Sequence, residues 1–292
     1  MAGDSAARPF AVGRGGVTIR GEAAGEGPQI VLCHGLTATR RSVVHGSRRL
    51  ERGGHTVIAY DARGHGESDP AAAGGYGYPE LVGDLSAVVD EQAGEGPIVL
   101  AGHSMGAHTA VAFALRHPDR VAGLVAIGPT YLGTQAPVAA DSEEGGAGLA
   151  AESLRYWDGL ADALERDGID GFVAYIGRAQ EVAPAWRDSV LRFTRERMER
   201  HRHLDAIVRA LREVPRSRPF GGLDELEALT VPTLVVASHD AADPGHPHAV
   251  ATEYARRIPS ARLISEAAGQ SPLAWQGGRL SREIETFCRE LQ

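Results

Sequence analysis

Short apolar runs alternate with longer amphipathic stretches over most of the chain. Residues 30–33, 57–60, 98–102, 124–127, 234–237 and 262–265 read as strands. Several lack polar alternation, as strands buried on both faces of a parallel sheet do. Helical spacing occupies the intervals, at 40–52, 79–91, 105–116, 247–257 and 280–291. Strand and helix in turn predict a doubly wound, mostly parallel sheet. Residues 10–20 read as a leading antiparallel hairpin with Gly15-Gly16 near its turn. With those two strands the expected sheet is eight-stranded.

The rhythm breaks after 130. Residues 141–148 are acidic and Gly-rich and read as a loop, and 149–214 read as several helices interrupted at Pro184. Strands resume at Val231. A helical insertion after one strand of a parallel sheet sits over the C-terminal strand edge, where ligands bind. The expected organisation is therefore a core from 1–130 and 219–292, with a helical cap at 131–218 inserted after the sixth strand.

Composition narrows the function. The chain has 292 residues, 43% hydrophobic and 23% charged, with a formal net charge of −8. That suits a large soluble core, and no basic stripe favours nucleic acid. The Arg-rich run 192–202 is interrupted by Glu196 and Glu199 and reads as a solvated helix face. Two cysteines, Cys33 and Cys288, support neither a disulfide framework nor a zinc site. Residues 1–9 lack the apolar run of a signal peptide, and no stretch reaches membrane-spanning length. A cytoplasmic setting without membrane contact is expected. No cofactor or metal is implied: Gly64-His65-Gly66 lacks the P-loop lysine, and no HExxH pattern occurs.

Three motifs carry the chemistry. Gly102-His103-Ser104-Met105-Gly106 follows an apolar strand and precedes a helix-compatible stretch. That is the context of a nucleophile elbow, in which small neighbours allow a sharp turn that lifts the serine above the sheet. The bland alternative is a Gly-rich strand-to-helix turn with an idle serine. His34-Gly35-Leu36 follows the strand at 30–33. A loop there can add a second oxyanion donor, the Leu36 N–H, beside that of Met105. Asp61-Ala62-Arg63-Gly64-His65-Gly66-Glu67-Ser68 reads as a tight turn, more structural than catalytic.

Taken together and in this order, the three motifs resemble the α/β-hydrolase superfamily. The likeness covers the whole chain except the cap. It is closer to the esterases, lactonases and cofactor-free perhydrolases than to the lipases. An aspartate at 104 would have suggested a dehalogenase or epoxide hydrolase; Ser104 argues against both.

A serine nucleophile needs a base, and the base an orienting acid. The family resembled here places its acid after the seventh strand. In Ser238-His239-Asp240-Ala241-Ala242-Asp243-Pro244, Asp240 falls on that position and Asp243 is the alternative. Either could instead cap the helix that follows. The family's histidine follows the eighth strand, where this chain has Gln270, and no histidine follows His248. A glutamine amide cannot take the serine proton.

Three explanations stand open. A histidine elsewhere serves, with His246 the candidate and His248 close behind it, or both are ordinary loop groups. Alternatively, the fold has turned to other chemistry or to binding alone. Or Gln270 is a natural or engineered loss of a working triad. The segment 270–281 resembles a stretch of an actinobacterial subgroup of α/β-hydrolases that also carries Asp-Pro-x-His-Pro, here Asp243-Pro244-Gly245-His246-Pro247. That resemblance implies a natural Gln270 and adds weight to His246.

His103 is expected to pack away from the nucleophile. His34 and Gln270 are expected in the pocket, and His201 and His203 on the surface. Tyr156, Trp157, Phe172, Tyr175 and Trp186 could line the pocket, although such spacing more often builds a helical core. The leading expectation is a cofactor-free serine hydrolase for an ester, lactone or related acyl bond of a small to medium, partly apolar molecule. The alternatives are a lyase, isomerase or cyclase on the same fold, and a ligand-binding receptor.

Overall fold

A computed structural model describes residues 6–132, 143–180, 182–239, 243–267 and 269–291, with 143–151 as backbone only. Its strands are β1 (Arg8–Arg14), β2 (Val17–Ala24), β3 (Gln29–Cys33), β4 (Thr56–Tyr60), β5 (Ile98–His103), β6 (Val121–Ile127), β7 (Thr233–Val236) and β8 (Ala261–Ile264). They form one sheet in the order β1-β2-β4-β3-β5-β6-β7-β8. The β1–β2 and β2–β4 pairings are antiparallel; every later one is parallel.

The unbroken apolar runs have the anticipated cause. Val31 and Cys33 face one buried cluster, while Ile30 and Leu32 face the other. Helices α2 (Tyr78–Gln92), α3 (Met105–Arg116) and α7 (His248–Arg257) cover the first face. The helix α8 (Gly277–Glu290) covers the second with α1 (Arg49–Arg52). The helix anticipated at 40–52 shrinks to that single turn. His45 and Gly46 take positive φ (47° and 73°), and Arg40 is drawn away to Asp61 and Glu67. Two positive-φ residues in succession end any right-handed helix.

Between β6 and β7 lie α4 (Glu143–Ala179), α5 (Pro184–Met198) and α6 (Leu204–Glu213). Of the anticipated loop at 141–148, residues 141–142 lie outside the described residues, and the chain is already helical from Glu143. The helix α4 breaks at Gly168, whose φ of 64° is non-helical. The three helices bury their own cluster, including Leu160, Leu164, Phe172, Met198, Ile207 and Leu211. Leu36 touches both this cluster and the core. Among the described residues, no helix is long and apolar enough to cross a membrane, and no group of three metal-ligating side chains converges.

Candidate active site

Ser104 occupies the turn between β5 and α3 with φ 52° and ψ −117°, a conformation that costs a non-glycine residue energy. Neighbouring backbone leaves no choice about the glycines. A Cβ on Gly106 would lie 2.1 Å from the Cys33 carbonyl oxygen, and one on Gly102 would lie 2.2 Å from that of Gly106. The Ser104 N–H donates to the Ile127 carbonyl (2.9 Å), which ties the elbow to the end of β6. Its hydroxyl makes no hydrogen bond among the described residues and is not enclosed.

The loop after β3 lies against this elbow. A Cβ on Gly35 would come within 3.3 Å of the Ser104 Cβ. The Met105 N–H opens α3 and has no intrahelical acceptor. The Leu36 N–H has no acceptor among the described residues. The helix's positive end thus faces the same space as the hydroxyl.

The loop itself is held by neutral histidines. His34 Nδ1 donates to the Gly35 carbonyl (2.8 Å), and its Nε2 accepts the Ala62 N–H (2.8 Å). His65 donates to the Arg63 carbonyl (2.9 Å) and accepts the Thr37 N–H (3.3 Å). His201 accepts the Gly66 N–H (2.9 Å) and donates to the Thr37 carbonyl (3.0 Å). Burial, reinforced by the neighbouring imidazoles, pushes His34 and His201 down to about 3. Burial likewise lowers His65.

Two expectations are corrected here. His34 does not line an open pocket, because both ring nitrogens are committed to backbone and the residue is 2% exposed. His201 is not a surface residue; it fastens the helical insertion to the loops after β3 and β4.

The Asp61–Ser68 turn is structural, as expected. Asp61 receives the Arg40 N–H (2.7 Å) and the Glu67 N–H (3.0 Å) and pairs with the Arg40 side chain. Arg63 makes a two-pronged buried pair with Asp84, at 2.6 and 2.7 Å.

The second half of the site comes from the segment after β7. His246 Nδ1 lies 2.9 and 3.0 Å from the two carboxylate oxygens of Asp243. The proton must then reside on Nδ1, and the lone pair of the neutral ring is on Nε2. Burial alone would lower His246, but the charge and hydrogen bond of Asp243 outweigh it, so the imidazole is raised above its ordinary value. Burial would raise Asp243, but His246 outweighs it and holds the carboxyl low.

The His246 ring lies against Gly128, where a Cβ would come 3.3 Å from it, and 4.9 Å from the ring of His103. Gly128 follows Ile127, and Ser104 follows His103. His246 and Ser104 therefore flank the same two strand ends. The His103 ring packs on that of His246, and burial with that neighbour lowers it to about 3. Asp240 lies outside the described residues.

Gln270 is exposed, and its Oε1 accepts from Arg279 (2.7 Å). The expectation that it lines the pocket is corrected, since its side chain is spent on a surface pair. Its loop is shaped by Glu266, 2% exposed, which accepts the N–H groups of His239 (2.6 Å) and Leu273 (2.7 Å). Glu266 so joins the loops after β7 and β8. A lone acidic residue at a strand end gave no sequence signal for this.

Of the candidate pocket aromatics, Phe172 is buried in the insertion, and Tyr156, Trp157 and Tyr175 pack on that cluster. Trp186 meets Trp275 of the core edge to face at 6.4 Å.

A family profile described as the alpha/beta hydrolase fold matches residues 28–276. The chain belongs to the α/β-hydrolase fold family. It is 39% identical over 109 residues to epoxide hydrolase B of Mycobacterium tuberculosis, covering 37% of this chain and 30% of that protein. The chain thus spans about a third of the length of that relative. It is 30% identical over 217 residues to 2-hydroxy-6-oxononadienedioate/2-hydroxy-6-oxononatrienedioate hydrolase 2 of Pseudomonas putida, covering 73% of this chain and 71% of that one. A thermophilic esterase from Thermogutta terrifontis superposes with a TM-score of 0.75 at 22% identity, covering 97% of this chain and 99% of that one.

Proposed function

We propose that this α/β-hydrolase-fold protein is a cofactor-free serine hydrolase that cleaves an ester, lactone or related acyl bond. The observation that carries the reading is the Asp243–His246 pair beside the Ser104 elbow. Ser104 Oγ attacks the acyl carbon while His246 Nε2 takes its proton. Asp243 stabilises the imidazolium through Nδ1. The N–H groups of Leu36 and Met105 hold the oxyanion. His246 then protonates the leaving group, and water repeats the sequence in reverse on the acyl-enzyme.

Asp243, not Asp240, is the acid in this proposal, because Asp243 is the carboxylate in contact with the base. A serine at 104 favours acyl transfer over epoxide opening, which calls for a carboxylate there. The absence of a histidine after β8 favours a non-hydrolytic reading; the pairing of His246 with Asp243 supports the hydrolytic one. We further propose that the insertion between β6 and β7 acts as a cap that shapes a site for a small to medium substrate, and that the protein works in the cytoplasm. Cys33 and Cys288 are both buried free thiols, which suits a reducing compartment.

The test is turnover of short-chain aryl esters by the wild type, Ser104→Ala and His246→Ala, with fluorophosphonate labelling of Ser104. Turnover and labelling that both depend on Ser104 and on His246 are expected. Ester cleavage unaffected by Ser104→Ala would overturn the reading.

A further inference from the structure

Arg197, in the last turn of α5, contrasts with the arginines of the insertion that reach acidic partners. Arg195, Arg202, Arg209, Arg212 and Arg216 each reach a carboxylate at 2.5–3.2 Å. Arg197 makes no ion pair and no side-chain hydrogen bond among the described residues. Its Nε is fully enclosed without a partner, whereas its terminal nitrogens are not enclosed. Burying part of a guanidinium without an acceptor is unfavourable, so such a group is best explained by what it meets in use.

Its position says where that meeting occurs. Four residues on, His201 is hydrogen-bonded to the Thr37 carbonyl, next to Leu36. On the other side Tyr156 accepts from Gln180 (2.8 Å), and Gln180 abuts the Asp243–His246 turn at Gly245. Arg197 lies between these fastenings, and its charge is felt by Asp243, His246 and His103. Asp243 is hydrogen-bonded to His246 and acts on Arg197 through its charge, but no ion pair joins the two among the described residues, so the site carries a cation without a contacting carboxylate.

We propose that Arg197 binds a carboxylate of the substrate, so that the preferred esters or lactones carry a second, ionised carboxylate on the acyl part. A planar guanidinium fork matches a carboxylate, and a single guanidinium offsets the single charge a carboxylate brings. This rests on the acyl-hydrolase reading above and deepens it.

The experiment compares 4-nitrophenyl hemiglutarate with the neutral 4-nitrophenyl valerate. In the wild type, kcat/KM should favour the acidic ester by at least about thirtyfold, the scale of losing one partner of a buried charge pair. Arg197→Met should collapse that ratio towards one, and Arg197→Lys should retain part of it. In parallel, glutarate and glutaramide are titrated into Ser104→Ala by calorimetry. Glutarate should bind and glutaramide should not, and Ser104→Ala/Arg197→Met should lose glutarate.

A wild-type ratio near one, or a ratio unchanged in Arg197→Met, would overturn the proposal. If neither ester is cleaved, the acyl-hydrolase reading fails by itself, and the glutarate titration decides the carboxylate site alone. If Arg197→Met does not fold, the wild-type ratio and the glutarate–glutaramide comparison still decide it.

Discussion

His246 Nδ1 sits 2.9 and 3.0 Å from the two carboxylate oxygens of Asp243, three residues before it in the same turn. The pairing is local, so in the proposed mechanism one short segment supplies both the base and its orienting acid. Asp243→Asn should therefore lower kcat by about 10³- to 10⁴-fold, through the wrong tautomer, without unfolding the protein. Asp240→Asn should cost far less. The two variants are compared by steady-state ester hydrolysis and circular dichroism. A severe loss in Asp240→Asn with an active Asp243→Asn would reverse the assignment.

The same pair sets a pH dependence. Burial lowers His246, but Asp243 outweighs it and the group titrates above the ordinary histidine value, while Arg197 works downward. The base must be neutral, so kcat/KM should fall as pH drops through a value above about 6.5. Arg197→Met should move this acidic limb to higher pH. In Asp243→Asn the upward influence is gone, and the limb of the residual activity should move below that of the wild type. A limb that stays in place in both variants would show that another group is the base.

Gln270→His, the change that would restore the family's usual residue, should not raise esterase activity. The Gln270 side chain is exposed and held by Arg279 at 2.7 Å, and in the proposed mechanism the base comes from the β7 side. Turnover of a short aryl ester by the variant, within about twofold of wild type, is the expected result, the change being a surface one. A gain of tenfold or more would mean that 270 reaches Ser104 after all.

Glu266 offers a test of how the two loops are joined. Its carboxylate accepts two backbone N–H groups from loops 27 and 7 residues away along the chain. Glu266→Ala leaves the buried Leu273 N–H unsatisfied, at about 1–3 kcal/mol, loses the part-buried bond to the His239 N–H, and frees the segment that carries Asp243. Stability by urea unfolding and kcat should both fall, and Glu266→Gln, which keeps acceptor capacity on one arm, should lose less. Unchanged stability in Glu266→Ala would remove the residue from this role.

What the sequence could reveal follows from which interactions are local. The sheet was legible because its strands are buried on both faces, and that leaves runs such as Val31 and Leu32 without polar alternation. Ser104 was legible because a strained elbow must be flanked by glycines, and its surroundings bear that out at Gly102 and Gly106. The choice between Asp240 and Asp243 was not, because the two stand three residues apart in sequence and no local pattern announces that Asp243 meets His246. Arg197 was hidden for another reason. It stands three residues after the buried Thr194, so it shares the inward stripe of α5, but its neighbours in sequence made the run look uniformly solvated. His201 and Glu266 act across 135 and 27 residues, distances over which no short motif carries information.

The buried histidines predict how the fold responds to acid. Burial holds His34, His103, His108 and His201 at about 3. His108 is fixed neutral by the Thr130 and Tyr131 N–H groups on Nε2 and by Tyr78 at Nδ1 (2.8 Å). In the unfolded chain each should titrate near 6.5. Between about 6.5 and 3 the unfolded state binds the extra protons, so acid favours unfolding there. The stabilisation from keeping these rings neutral is complete above that window and declines as pH falls through it. Each ring adds about 1.4 kcal/mol per pH unit to the slope at full effect. His246, which is raised, acts in the opposite sense, but only in the window just above 6.5. Urea midpoints measured from pH 7.5 down to 5 should therefore drop steeply below 6.5. Replacing His201 with Gln, whose amide can also donate to one carbonyl and accept one N–H, should flatten the slope by about one proton's share. A midpoint that is flat from pH 7.5 to 5 would mean that these rings are charged in the folded protein, which the backbone N–H groups that His34, His108 and His201 accept do not allow.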